Sequence, residues 1–208
     1  MDELKEAVLQ DNVEYAEEIM LNRLRILPND SELWLKLGLI ELQYPFEDYD
    51  RALEYIDKSI SEFPNYFEAI CIKLYLTNFY YNEIDNVLLD RAIEFNYGNS
   101  QKSVLYYIKS WVYRNAKNID DEILMLNRSV ELCPKFVYPF KRLGDIFKNE
   151  NDSLSKSNYL KAKSNIIEVF LRDSFDDFTV PSLYIDEYIT GVRLSSVNAK
   201  FIEMKCLE

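Results

Sequence analysis

A short pattern occurs twice in this chain. Pro28, Trp34, Leu37 and Gly38 are matched 106 residues later by Pro134, Phe140, Leu143 and Gly144. Pro64 lies between them, just after a run in which Leu53, Ile56, Ile60 and Phe63 step by 3, 4 and 3. Ile123, Leu126, Val130 and Cys133 step the same way ahead of Pro134. Such steps place apolar residues on one face of a helix. Self-similarity at a period of about 35 residues predicts stacked helical hairpins rather than a closed globule.

The finer marks agree with paired helices. Ser59, Ala92 and Ser129 each stand five residues before Pro64, Tyr97 and Pro134, where a small side chain lets the next helix come close. A Gly inside a helix costs about 1 kcal/mol against Ala. Gly38 and Gly144, at matching places, therefore predict contacts too tight for a Cβ. Asp30 or Ser31 is expected to cap one helix, Asp120 or Asp121 another, and Asp152 or Ser153 a third. The stretch 12–28 reads as a lone second helix, and Met-Leu-Asn-Arg at 20–23 returns at 125–128. With 4 Gly in 208 residues and 48% apolar content, long helices are favoured over a turn-rich sheet.

These residues resemble the tetratricopeptide repeat family. Its pattern is a large aromatic and a Leu-Gly pair on the first helix, an Ala and an apolar residue on the second, and Pro at the turn. Trp34, Leu37, Gly38, Ala52, Ile56, Ser59 and Pro64 carry the match, and Phe140, Leu143 and Gly144 repeat it. The intervening repeats are marked by Ile70, Leu74, Leu89 and Ala92, with Tyr97 in place of Pro, and by Ser103, Tyr106 and Tyr107, without Leu-Gly. The resemblance implies an all-α fold, a right-handed solenoid of about four such hairpins over residues 1–170. Residues 171–208 break the pattern and read as a C-terminal extension that caps the last hairpin or fills its groove.

Composition narrows the function. The net charge is −12, and no His occurs. An imidazole base, a Ser-His-Asp triad and a Cys-His pair are therefore excluded. Gly38, Gly98, Gly144 and Gly191 are isolated, so no phosphate loop is present. The clusters Asp120-Asp121-Glu122 and Asp176-Asp177 read as helix starts or solvated turns, and Cys71 as a small inert hydrophobe. Cys71, Cys133 and Cys206 are too scattered for a disulfide framework or a zinc site. No catalytic residue, metal or cofactor is expected. Residues 1–63 carry 16 acids against 6 bases, which argues against nucleic acid or an anionic membrane as partner. The N-terminus lacks the pattern of a secretory signal, and no apolar stretch is long enough to span a membrane. A cytoplasmic, bacterial protein is expected.

In the family the first helices line a concave, partner-binding surface. Carried over by register, that surface takes Glu32, Leu35, Leu39 and Leu42 from the first repeat and Glu68, Cys71, Tyr75 and Phe79 from the second. The third supplies Val104, Ile108 and Trp111. The last supplies Tyr138, Lys141, Asp145 and Lys148, with Arg142 beside them. Leu35, Leu39 and Cys71 stand where relatives that grip acidic chaperone tails place Lys and Asn, so that clamp is missing. The implied function is a non-catalytic scaffold or adaptor that binds another protein or peptide through the groove. An immunity or antitoxin-type protein that neutralises a basic toxin is an alternative, as is a secretion chaperone. Asp173, Asp176 and Asp177 of the extension are complementary in charge to Lys141, Arg142 and Lys148.

Overall fold

A computed structural model describes residues 12–42 and 48–170, together with Glu3 and Ala7. The extension 171–208, including Asp173, Asp176, Asp177 and Cys206, lies outside the described residues, as does the stretch 43–47. Among the described residues there are nine α-helices and no strand. They are α1 (Val13–Ile26), α2 (Ser31–Glu41), α3 (Tyr49–Glu62), α4 (Phe67–Tyr81), α5 (Asn86–Glu94), α6 (Asn99–Asn115), α7 (Ile119–Leu132), α8 (Val137–Phe147) and α9 (Asp152–Phe170). The all-helical repeat fold predicted from the period is the fold the chain adopts. Contacts divide it into two compact units, with the boundary between Lys73 and Leu74.

Unit 1 contains α1, α2 and α3. Asn12, Asp30 and Asp48 cap the three helices by accepting from the backbone N–H groups of Tyr15, Leu33 and Arg51. Ala16, Ile19, Met20 and Leu24 of α1 pack with Leu33, Leu37 and Ile40 of α2 and Tyr55 of α3. Trp34 is only half-buried: it stacks on Tyr55 at 5.7 Å, and its Nε1 donates to the Pro28 carbonyl at 2.7 Å. Gly38 is needed for the α2–α3 contact. A Cβ there would meet the Ala52 carbonyl oxygen and Ile56 Cγ1, each at 2.9 Å. Ser59 Oγ donates to the Ser31 carbonyl at 2.7 Å.

Unit 2 runs from Leu74 through α9, with α6 packed on α7, α7 on α8 and α8 on α9. Ser103 and Ser129 join α6 to α7 by donating to each other's backbone carbonyls at 2.8 Å. In α8–α9 Ser155 Oγ donates to the Gly144 carbonyl, and a Cβ at Gly144 would come within 2.7 Å of the Tyr159 ring. Two expected caps are corrected. Asn118 caps α7 by accepting from Asp121 N–H, and Asn151 opens α9 by accepting from Leu154 N–H. Asp121 and Asp152 sit inside the first turns, where a negative charge faces the positive helix end. Lys117 closes α6 at φ 57°, and the amides of Lys117 and Asn118 satisfy the Arg114 and Tyr113 carbonyls.

Candidate functional site

Aromatic side chains four residues apart lie on one helix face. Tyr75 and Phe79 on α4, and Tyr107 and Trp111 on α6, use that spacing within unit 2. The rings join into a continuous row. Phe79 stacks on Tyr75 at 5.9 Å, Tyr75 meets Trp111 at 6.2 Å, and Trp111 meets Tyr107 edge-on at 5.3 Å. Tyr107 continues to Phe136 at 5.2 Å and to Tyr138, on the first turn of α8, at 6.2 Å. Offset and edge-on pairs at these distances add stabilisation beyond the area they bury. The row is graded in exposure. Phe79 is 65% exposed, Tyr75, Tyr107 and Tyr138 are half-buried, and Trp111 and Phe136 are buried.

A charge cluster adjoins the buried end. Glu122 on α7 is enclosed, and it accepts from Arg114 Nε at 2.8 Å and from Arg142 Nε and Nη2 at 2.6 and 3.0 Å. Burial works to raise its pKa, but the two guanidinium groups outweigh burial and hold it below the usual carboxylate value. Tyr107 feels the same cluster: burial raises its hydroxyl pKa, with Arg114 the main opposing charge. Lys141 pairs with Asp145 at 2.7 Å, and Tyr159 donates to the other Asp145 oxygen. Burial raises the Asp145 pKa less than Lys141 and Tyr159 lower it.

The groove residues expected from register therefore have different fates. In unit 2, Tyr75, Phe79, Trp111 and Tyr138 come together in one row. Val104 and Ile108 are buried. Arg142 is engaged by Glu122 and Lys141 by Asp145, while Lys148 stands exposed at the end of α8. In unit 1, Glu32 is exposed and paired with Lys36, and Leu35, Leu39, Leu42 and Cys71 are buried. Glu68 is half-buried. Burial pushes the Cys71 thiol well above its ordinary pKa, so the reactive thiolate is disfavoured. The register omitted Tyr107 and Phe136 from the groove, although both are links in the row. Their signal was present in the i, i+4 spacing of Tyr107 and Trp111 and in the position of Phe136 just past Pro134. Among the described residues, no acid or thiol cluster suits a metal ion, and no helix is long and apolar enough to cross a membrane.

No protein-family model and no curated protein matches the chain. Solved structures do. One structure of MamA, a tetratricopeptide-like helical repeat protein, superposes with a TM-score of 0.62 at 20% identity, covering 83% of this chain and 99% of that one. Another structure of MamA gives 0.59 at 22% identity over 84% of this chain and 93% of that one. MamA from Desulfovibrio magneticus RS-1, taken from residue 41 to its end, gives 0.58 at 18% identity over 82% and 93%. At these identities the likeness is one of fold.

Proposed function

We propose that this chain is a non-catalytic protein-interaction module, and that the aromatic row of unit 2 receives an apolar segment of another protein. A tetratricopeptide-like fold of the MamA kind is a scaffold for protein contacts, which supports the general reading. The row from Phe79 to Tyr138 carries the specific one. It offers large, pre-ordered rings at little entropic cost, the composition that dominates binding hot spots. Its most exposed ring, Phe79, is set against Tyr75 and Tyr80 rather than against a core.

The exposure gradient also selects the test. Trp111→Ala would empty a buried position and disturb folding as well as binding. Phe79→Ala removes an exposed ring and should leave the melting temperature within about 2 °C of the parent. The partner is recovered on immobilised full-length protein and its affinity measured for both forms. Phe79→Ala should weaken it at least about tenfold, the loss of one hot-spot ring. Equal affinity with an intact fold would move the partner away from this row.

A further inference from the structure

We propose that Glu17 and Glu41 form a proton-operated latch in unit 1, holding α1 to the α2–α3 hairpin when the two carboxyl groups share a proton and loosening it when both are ionised.

Glu41 is the last residue of α2 and is 0% exposed. Neither carboxyl oxygen has a hydrogen-bond donor among the described residues. A bare carboxylate in that position is costly. It also sits at the negative end of the α2 dipole, which adds to the cost. Among the described residues, Arg51 of α3 is the guanidinium close by. Its Nε stands 3.3 Å from Glu41 Oε1, at ion-pair distance, but its Nη2 donates to Glu17 of α1 at 2.7 Å and both nitrogens also reach the Tyr55 hydroxyl. Asp48, the cap of α3, adds a further negative charge. One cation thus faces two glutamates with a third carboxylate nearby.

A single proton resolves the conflict. Protonated Glu41 becomes a donor, and the Glu17 carboxylate becomes its acceptor. Glu17 and Arg51 are then left as a balanced pair. The proton is taken from solvent water and returned to it. Burial is the largest cause that raises the Glu41 pKa. Arg51 opposes it, Glu17 and Asp48 add to it, and the result is about 7. The carboxyl binds its proton more tightly folded than unfolded. The stabilisation is therefore complete below the ordinary carboxylate pKa and is lost as pH rises through about 7. The element released is α1, because Glu17 is its contribution to the contact.

Hydrogen–deuterium exchange on the full chain tests this, with rates corrected for the intrinsic effect of pH. Protection of residues 13–26 should fall about tenfold between about pH 6 and about pH 8, while residues 119–132 stay level. Glu41→Gln keeps a donor without a charge and should abolish the change in 13–26. A pH-independent α1 in the parent, or the same fall in Glu41→Gln, would overturn the latch. Infrared spectroscopy of the parent gives a second reading should Glu41→Gln fail to fold. A protonated carboxyl band should persist at about pH 6 and bleach by about pH 8. Its absence at pH 6 would equally refute the proposal.

Discussion

Among the described residues each unit buries one glutamate, and the two sites hold protons in opposite ways. Glu41 in unit 1 and Glu122 in unit 2 are almost equally inaccessible, at 0% and 1% exposed. Their hairpins even carry the same charges in swapped order. In α2–α3 the acid ends the first helix and Arg51 opens the second. In α6–α7 Arg114 ends the first helix and Glu122 opens the second. The difference is the number of donors. Arg142 of α8 gives Glu122 a second guanidinium, whereas Arg51 is shared away from Glu41 by Glu17. Depth of burial alone does not set a carboxyl's charge; the count of partners that survive competition does.

The largest expected effect breaks the better-satisfied site. Glu122→Ala strands two guanidinium groups and should cost about 3 to 5 kcal/mol in urea unfolding at neutral pH. Glu41→Gln, an equally buried change, should cost far less and stabilise unit 1 in mildly alkaline solution. The acid side gives the reverse sign for Glu122. Its pKa is lower folded than unfolded, so its contribution is present above the ordinary carboxylate value and fades as pH falls through the folded one. A Glu122→Ala penalty that does not shrink in acid would show that the pair is held by packing rather than charge.

The two Leu-Gly helices sharpen the comparison with a smaller effect. Gly38→Ala meets a backbone carbonyl that cannot turn aside, and its overpacking should exceed the gain in helix propensity by about 2 kcal/mol. Gly144→Ala first meets the ring of Tyr159, a side chain that can swing at the expense of its bond to Asp145. Its cost should be about 1 kcal/mol, and Tyr159→Leu should relieve it. No side-chain change should rescue Gly38→Ala. Equal costs at the two sites would mean that the backbone of α3 yields as readily as a ring.

The sequence disclosed these glycines because a residue unfavourable in helices, found twice at one register, needs a reason. It disclosed the helices and the Asp30 cap for the same kind of cause: local chemistry repeated at a fixed period. It missed Asn118 and Asn151 as caps because acids next to them are equally good candidates by residue type, and the backbone decides between neighbours. The aromatic row was half legible. Tyr75, Phe79, Trp111 and Tyr138 could be assigned by register, but register cannot say that Leu35 is sealed while Phe79 is open. The fate of Arg142 was hidden for a different reason. Its partner Glu122 is 20 residues away in the preceding helix, and nothing in the spacing ties them.

The smallest difference between the units concerns the serines at matching places in them. Ser59 makes one hydrogen bond, to the Ser31 carbonyl, whereas Ser129 is half of a reciprocal pair. Removing the Ser129 hydroxyl deletes its bond to the Ser103 carbonyl, which keeps its own helical bond within α6. It also removes the 3.0 Å contact between the two hydroxyls. Ser59→Ala should cost about 1 kcal/mol and Ser129→Ala about 1.5 kcal/mol, because each hydrogen bond is worth about 1 and the loss of the hydroxyl–hydroxyl contact adds to it. The double variant Ser103→Ala with Ser129→Ala distinguishes coupling from addition. If the pair acts as a unit, the double cost falls short of the sum of the single ones, since the first substitution has already broken the exchange. Strict additivity would mean that α6 and α7 are joined by two separate bonds.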